Sequence, residues 1–270
     1  MLPSPTWFVG CGNMAGAMIA GWRSIGVDFS NAVAIRPSGK PVEGVRTITA
    51  MADAGPPPKL AILGFKPQKL GEVAPKLARL LTEETVIVSI LAGVEAASLR
   101  SRFMRARSVV RAMPNLPVSI RRGVIALYSD DADDLLRKQL SELAATLGYA
   151  MWTTTETGLA AIGSVAGAGP AYVARFIRAL AKAGERRGLP EALAATIAVE
   201  TVLGTAWMAA TSRESMDEIA RRVASPKGTT EAGLAVLDRE GVFDALIAVT
   251  IDAAARRGSE LAEEAANQSS

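Results

Sequence analysis

Short apolar runs alternate with amphipathic stretches over the first half of the chain. The runs have the length of strands and lack a polar face, as expected for strands that a parallel sheet buries on both sides. Strands are predicted at 6–9, 32–35, 60–63, 86–90, 108–111 and 124–127. Helices are predicted between them at 14–25, 68–81 and 131–147. This alternation predicts an α/β fold whose N-terminal half is a Rossmann-type, doubly wound parallel sheet.

The pattern changes after Trp152, where strand signals stop and helical spacing takes over. Gly188-Leu189-Pro190 combines a helix stop with a helix start. The segment 192–210 is apolar almost all round, which indicates a helix buried between subunits. We therefore predict a C-terminal all-helical domain, with the two domains at 1–155 and 156–270. Its helices are predicted at 157–165, 171–187, 190–210, 216–223, 230–239 and 242–264.

Composition excludes several kinds of chemistry. The chain has no histidine, so it has no histidine general base, no Ser-His-Asp triad and no histidine metal ligand. Its one cysteine, Cys11, cannot form an intramolecular disulfide, which favours a reducing compartment. We expect a cytoplasmic protein that holds no metal.

The charge pattern bears on the partners of the protein. The formal net charge is +3, but the basic residues occur in scattered pairs with no aromatic residues between them. This pattern is typical of solvated helix faces, so we expect no nucleic-acid partner, although a mild positive charge favours small anionic ligands. No apolar stretch approaches the about 18 residues that a membrane span needs, so we expect no membrane partner either.

A glycine-rich turn follows the first predicted strand and opens a helix. It fits the pattern G-x-G-x-x-G/A, which in this context binds the pyrophosphate of a dinucleotide at the helix N-terminus. Gly10 permits the tight turn, and Gly12 lets the backbone approach the phosphates. The alternative is a glycine-rich turn that only joins packed elements. The predicted cofactor contacts in this turn are Gly10, Gly12, Asn13 and Met14.

The end of the second predicted strand bears on the choice of dinucleotide. A site that prefers NAD usually has an acidic residue there for the ribose 2′-hydroxyl. This chain instead has Arg36-Pro37-Ser38-Gly39-Lys40. The guanidinium of Arg36 and the hydroxyl of Ser38 suit a 2′-phosphate, so the sequence favours NADPH, with NADH possible. An ordinary polar turn is the alternative.

Six segments in order resemble the pyrroline-5-carboxylate reductases, the enzymes that make proline. Related dehydrogenases share the first segment but not the last two. The six segments are Phe8-Val9-Gly10-Cys11-Gly12-Asn13-Met14, Phe65-Lys66-Pro67, Val88-Ser89-Ile90-Leu91-Ala92-Gly93-Val94, Arg111-Ala112-Met113-Pro114-Asn115-Leu116-Pro117, Gly167-Ala168-Gly169-Pro170-Ala171-Tyr172 and Ser225-Pro226-Lys227-Gly228-Thr229-Thr230.

The resemblance implies NAD(P)H-dependent reduction of 1-pyrroline-5-carboxylate to L-proline, the last step of proline biosynthesis. It also implies a helical domain that interleaves with a second copy of the chain, in a homodimer or an assembly of dimers. Besides the glycine turn, the implied cofactor contacts are Lys66, Pro67, Ala92 and Gly93. The implied substrate contacts are Ser225, Gly228, Thr229, Thr230 and Glu156.

The segment from Ser225 to Thr230 can do the work that this reaction needs. Reduction of a cyclic imine requires a hydride at carbon, which the cofactor carries, and a proton at nitrogen. The segment leads into a predicted helix, so its backbone N–H groups would face an anion such as the substrate carboxylate. The hydroxyl of Thr230 can be offered to the ring nitrogen, and we predict Thr230 as the catalytic residue. The alternative is helix capping by Ser225 or a threonine.

Two residues depart from the family pattern. Ala168 stands where the family usually has serine, and Lys227 replaces a glycine in the usual Ser-Pro-Gly-Gly-Thr. Both lie in motifs that carry the resemblance. They are the basis of an alternative function, the reduction of another cyclic imine or small carbonyl. A non-catalytic NADP-sensing protein is an alternative of a different class.

Overall fold

The structure is a computed structural model that describes residues 2–267, with side chains as far as residue 264. The described residues divide into two compact units. The first unit contains the residues up to Ala168 together with those from Ala254 onward, and the second is Gly169–Ala253. Residues 268–270, at the end of the predicted helical domain, lie outside the described residues.

The first unit is built on one sheet, which has eight strands within the described residues. In chain order the strands are β1 (Thr6–Val9), β2 (Ala32–Ile35), β3 (Arg46–Ile48), β4 (Leu60–Leu63), β5 (Val86–Ser89), β6 (Ser108–Pro114), β7 (Gly123–Tyr128) and β8 (Gly148–Trp152). Their order in the sheet is β3-β2-β1-β4-β5-β6-β7-β8. Neighbours run parallel except β6 and β7, which are antiparallel. The predicted doubly wound parallel sheet is confirmed except at β7, which runs antiparallel to β6.

Helices cover both faces of this sheet. They are α1 (Asn13–Arg23), α2 (Leu70–Ala78), α3 (Ala96–Arg102), α4 (Asp134–Ala145) and α5 (Glu156–Ile162), and a π-helical turn, Gly163–Gly167, follows α5. Successive strand residues point to opposite faces, so Phe8 packs in one buried cluster with α1 and α4. Trp7 packs in the other, with α2 and α3. This alternation explains why the strands read as continuous apolar runs.

The second unit is helical. Its helices are α6 (Gly169–Arg186), α7 (Glu191–Thr211), α8 (Met216–Val223), α9 (Thr229–Leu237) and the first part of α10 (Val242–Asn267). Small residues bring α6 and α7 together, with Ala181 packed against Ala194 and Ala198. Many large apolar side chains stay exposed in the single chain, among them Leu203 and Trp207 of α7. An apolar helix of this kind needs a covering surface outside the chain.

Two helical stretches, Glu156–Arg186 and Glu191–Thr211, are long and apolar enough to cross a membrane by length and composition alone. The expectation that no stretch approaches that length was therefore wrong, because it considered only uninterrupted apolar runs. Core helices of soluble proteins have the same length and composition, so this property by itself identifies no membrane segment.

Candidate functional site

The first glycine of the turn after β1 is required by the protein itself. Gly10 has φ +77°, a left-handed conformation that favours glycine. A Cβ at Gly10 would lie 2.7 Å from the backbone nitrogen of Phe65, in the loop that follows β4. The N–H of Gly10 donates to the carbonyl of Ile35 at 2.9 Å, so the turn is tied to the end of β2 as well.

The second glycine is required neither by its backbone conformation nor by close approach of another described residue. Gly12 is the N-cap residue of α1 and has φ −83°, which any residue adopts. A Cβ placed on it would meet, among the described residues, only the carbonyl oxygen of Gly64, at an ordinary 3.8 Å. The first turn of α1 has no acidic residue, so its positive end is open to an anion. The space above Gly12 fits a bound group such as a pyrophosphate.

A cleft of about 870 Å³ opens beside this turn, within the 300–1,000 Å³ typical of small-molecule sites. It brings together five of the residues predicted to hold the cofactor: Gly10, Gly12, Arg36, Ser38 and Lys66. Every charged residue that lines it is basic except Glu72. The basic lining residues are Arg36, Lys66, Lys69, Lys76 and Arg79. The cleft is therefore suited to a polyanionic ligand.

Arg36 stands at the end of β2, where its own turn holds it. Its Nη1 donates to the carbonyl of Lys40 at 2.9 Å, and the N–H of Gly39 donates to the carbonyl of Arg36 at the same distance. The guanidinium also lies close enough to the Cys11 thiol to affect it: burial raises the pKa of that thiol, and the charge of Arg36 lowers it. The net effect is a raised pKa, so Cys11 stays a neutral turn residue.

The other predicted cofactor residues lie outside the lining of this cleft. Asn13 and Met14 begin α1, and Asn13 lines a smaller cavity of about 310 Å³ that shares Gly12 and Arg36 with the cleft. Pro67 begins the 3₁₀ turn directly after Lys66.

Ala92 and Gly93 lie in the loop between β5 and α3. Gly93 has φ +72°, and a Cβ on it would lie 2.9 Å from the carbonyl carbon of Leu261 in α10. The glycine here is accounted for by the backbone conformation and by the approach of this helix, without reference to a cofactor.

Glu156 begins α5 and is tied to two other elements. Its Oε1 accepts the backbone N–H of Ala96, the first residue of α3, at 2.6 Å, and its Oε2 accepts from Nη1 of Arg111 in β6. Arg111 is only 7% exposed. Arg111 opens one of the family segments, but no role was predicted for it; the signal for one was a cation inside an otherwise apolar strand. Both oxygens of Glu156 are thus engaged within the first unit.

The predicted substrate segment lies in the second unit. Gly228 is the N-cap residue of α9, so Thr229 and Thr230 are the first two residues of the helix. Within the described residues no side chain caps α9, so the alternative of capping by Ser225 or a threonine was wrong. The first N–H groups of a helix have no partner inside it, so those of Thr229 and Thr230 are available as donors, in a first turn that also carries Glu231.

The backbone conformation of Lys227 accounts for the glycine that the family usually has at this position. Its φ of +59° is left-handed, which costs a non-glycine residue roughly 1–2 kcal/mol. The N–H of Lys227 donates to Oε2 of Glu231 at 2.6 Å, and the N–H of Gly228 donates to the carbonyl of Ser225 at 2.9 Å. These two hydrogen bonds hold the turn before α9.

No cluster of three His, Cys, Asp or Glu side chains that could hold a metal ion occurs among the described residues. The first unit has a basic cleft beside the N-terminus of α1. The second unit has the N-terminus of α9, which a tight turn precedes. The first is suited to a dinucleotide and the second to a small carboxylate.

Residues 156–261 match a family model described as the pyrroline-5-carboxylate reductase dimerisation domain. Over 264 residues the chain is 36% identical to a pyrroline-5-carboxylate reductase of Pseudomonas aeruginosa, an alignment that covers 95% of this chain and 96% of that protein.

Solved structures show the same similarity. A pyrroline-5-carboxylate reductase from Coxiella burnetii aligns with a TM-score of 0.87 and 29% identity, covering 96% of this chain and 99% of that one. The Plasmodium falciparum pyrroline carboxylate reductase, solved with NADP bound, aligns with a TM-score of 0.86 over 96% of this chain and 98% of its own. At 22% identity, this second similarity shows the fold.

Proposed function

This chain belongs to the pyrroline-5-carboxylate reductase family, and from that premise we propose that it catalyses the NADPH-dependent reduction of 1-pyrroline-5-carboxylate to L-proline. The observation that carries the proposal is the glycine turn after β1, which opens onto a basic cleft of about 870 Å³. NADPH supplies the hydride when it is bound. The protein supplies position, by fixing the dinucleotide and the small carboxylate.

The turn and the first residues of α1 grip the pyrophosphate in this proposal. Gly12 leaves room for the phosphates, and the backbone N–H groups of Asn13 and Met14 lie at the N-terminus of α1, where an anion is stabilised. Arg36 and Ser38 hold the 2′-phosphate that distinguishes NADPH from NADH. Lys66 and Pro67 follow β4 and contact the same dinucleotide, as do Ala92 and Gly93 after β5.

The substrate is held by the turn before α9. The N–H groups of Thr229 and Thr230 bind its carboxylate, and Ser225 and Gly228 shape the turn. The half-buried Thr230 offers its hydroxyl to the ring nitrogen and is the proposed catalytic residue. Both oxygens of Glu156 are already hydrogen-bonded within the first unit, which argues against a direct contact between Glu156 and the substrate.

We assign residues 1–155 to dinucleotide binding and 156–270 to substrate binding and dimerisation, with Glu156 at the boundary hydrogen-bonded to Ala96 and Arg111 of the first unit. The dimerisation family model covers α7, whose exposed Leu203 and Trp207 are apolar. A second copy of the chain is the covering surface that these side chains need, so the active protein is a homodimer or an assembly of dimers. We place it in the cytoplasm.

Replacing Gly12 with alanine is expected to raise the dissociation constant for NADPH about tenfold while the melting temperature stays within about 2 °C. Among the described residues outside its chain neighbours, the methyl group meets only the carbonyl oxygen of Gly64, at 3.8 Å, so the bound pyrophosphate is the group that it displaces. Titration of NADPH fluorescence and thermal unfolding of the free protein measure the two effects.

Gly10→Ala is the matched control, because its methyl group would lie 2.7 Å from the backbone of Phe65. It is expected to lower the free energy of unfolding by about 1–3 kcal/mol, as strained and overpacked substitutions do. Unchanged NADPH affinity in the Gly12 variant would remove the turn from the cofactor site.

The activity itself is tested by a panel of cyclic imines and small carbonyls, followed at the NADPH absorbance band. Pyrroline-5-carboxylate is expected to give the highest kcat/KM. A preference for another imine would assign an altered pocket to Ala168 and Lys227. NADPH binding without turnover on any compound would indicate a sensor.

A further inference from the structure

The loop between β5 and α3 is held at both ends and in its middle. At its end, the N–H of Ala96 donates to Oε1 of Glu156 at 2.6 Å. In its middle, the backbone of Leu261 in α10 lies where a side chain of Gly93 would be. At its start, the N–H of Leu91 donates to the Ser89 hydroxyl at 3.3 Å. These contacts restrict the conformations that the loop can adopt.

The anchor at Ala96 is itself fixed by a buried cation. Arg111 pairs with the last residue of β5 on one side and with Tyr128 of β7 on the other, and its guanidinium donates to Oε2 of Glu156. A hydrogen bond to Asp130 raises the pKa of Tyr128 to about 12, so the phenol beside the pair stays neutral. The carboxylate of Glu156 is therefore held in place by Arg111, with its second oxygen aimed at the loop.

The loop lies at the edge of the sheet where the cleft opens. β4 and β5 are parallel neighbours, so their carboxyl ends lie at the same edge, and the residues after β4 line the cleft. Dinucleotides bind outside the carboxyl ends of such strands. A loop that already has its bound conformation does not pay the entropic cost of ordering when a ligand arrives.

We propose that Glu156 is a positioning residue for the dinucleotide: with Arg111 behind it, its carboxylate fixes the loop that carries Ala92 and Gly93. This inference rests on the proposed function, which assigns those two residues to the cofactor. It gives Glu156 a different role from the one its family position implies, since the side chain acts on NADPH through the Ala96 N–H and does not bind the imine.

Two double variants isolate this hydrogen bond. Arg111→Met with Glu156→Gln keeps an oxygen for the Ala96 N–H, whereas Arg111→Met with Glu156→Leu has none. Both remove the buried cation, so neither leaves an unpaired charge, which would itself be strongly destabilising. NADPH affinity is measured by fluorescence titration without substrate, the KM for pyrroline-5-carboxylate at saturating NADPH, and the fold by thermal unfolding.

The leucine variant is expected to bind NADPH about tenfold more weakly than the glutamine variant, a difference of about 1.4 kcal/mol. Their KM values for pyrroline-5-carboxylate are expected to agree within about twofold. Equal NADPH affinities of the two variants overturn the proposal. In that case a higher KM for the imine in the leucine variant would indicate a substrate contact, and an unchanged KM would indicate a purely structural pair. Absence of turnover in the wild type would overturn the proposed reaction but leave the NADPH titration readable.

Ala96→Pro keeps the test decisive if the double variants do not fold. It removes the N–H donor without replacing Arg111 or Glu156, and its ring takes the place of the amide hydrogen, so the Glu156 carboxylate that accepts there at 2.6 Å is displaced from the loop. Proline is tolerated at the first position of a helix, and the preceding Glu95 already has the extended conformation that proline requires. The same loss of NADPH affinity is expected, and wild-type affinity contradicts the proposal.

Discussion

Replacing Arg36 with aspartate is expected to raise the KM for NADPH about a hundredfold or more while the KM for NADH changes by less than about threefold. The variant loses charge-assisted hydrogen bonds to the 2′-phosphate, worth about 1.5–3 kcal/mol, and places a carboxylate beside that phosphate. NADH has no such phosphate, and an acidic residue at the end of β2 can accept from its ribose 2′-hydroxyl. Initial rates with each cofactor at saturating imine measure the two constants.

Arg79→Asp is the charge-matched control. Arg79 also lines the cleft but belongs to a different element, since it is the C-cap residue of α2. If the effect of Arg36→Asp came from the net charge of the cleft, both variants would weaken NADPH equally. Equal losses of NADPH and NADH in the Arg36 variant would contradict the assignment of this residue to the 2′-phosphate.

The central strands could be predicted from the sequence because a strand that is buried on both faces is apolar at every position. The structure has β1, β2 and β4 at Thr6–Val9, Ala32–Ile35 and Leu60–Leu63, the bounds that the apolar runs predict. The edge strands β3 and β8 were missed because both are only partly buried, and β3 also carries Arg46 and Thr47. The helical half was predicted in outline, since its amphipathic or apolar spacing is local.

The reversed direction of β7 was within reach of the sequence but was not predicted. Only residues 115–122 separate β6 from β7. A parallel crossover needs a dozen or more residues. A connection as short as this one therefore requires an antiparallel pair. The 3₁₀ turn Leu116–Ile120 fills this connection, where a crossover would have needed a helix.

The residues of the candidate site also differ in how far they could be predicted from local sequence. The glycine turn and the Arg36 turn are local, and their residues could be read from one strand end each. The hydrogen bonds of Glu156 to Arg111 and Ala96 span 45 and 60 residues of sequence, so no local pattern pairs them. Only the fold brings these three residues together, so the positioning role that we propose for Glu156 could not be predicted from the sequence.

Thr230→Ala is expected to lower kcat at least tenfold, an increase of about 1.4 kcal/mol or more in the barrier, while the protein stays folded. The hydroxyl is the group that Thr230 offers to the ring nitrogen, and loss of one such hydrogen bond at a reacting centre costs about this much or more. The fold is spared because Thr230 is the second residue of α9, where alanine has a higher helix propensity than threonine. Steady-state kinetics and circular dichroism measure the two outcomes.

Two matched variants decide which property of Thr230 is used. Thr230→Ser keeps the hydroxyl and is expected to retain most of the turnover, whereas Thr230→Val keeps the shape and is expected to behave like Thr230→Ala. If valine instead restores turnover, the side chain only fills space beside the turn. If kcat is unchanged in the alanine variant, the proton reaches the ring nitrogen by another route, and the role of the turn before α9 reduces to binding the carboxylate through its backbone N–H groups.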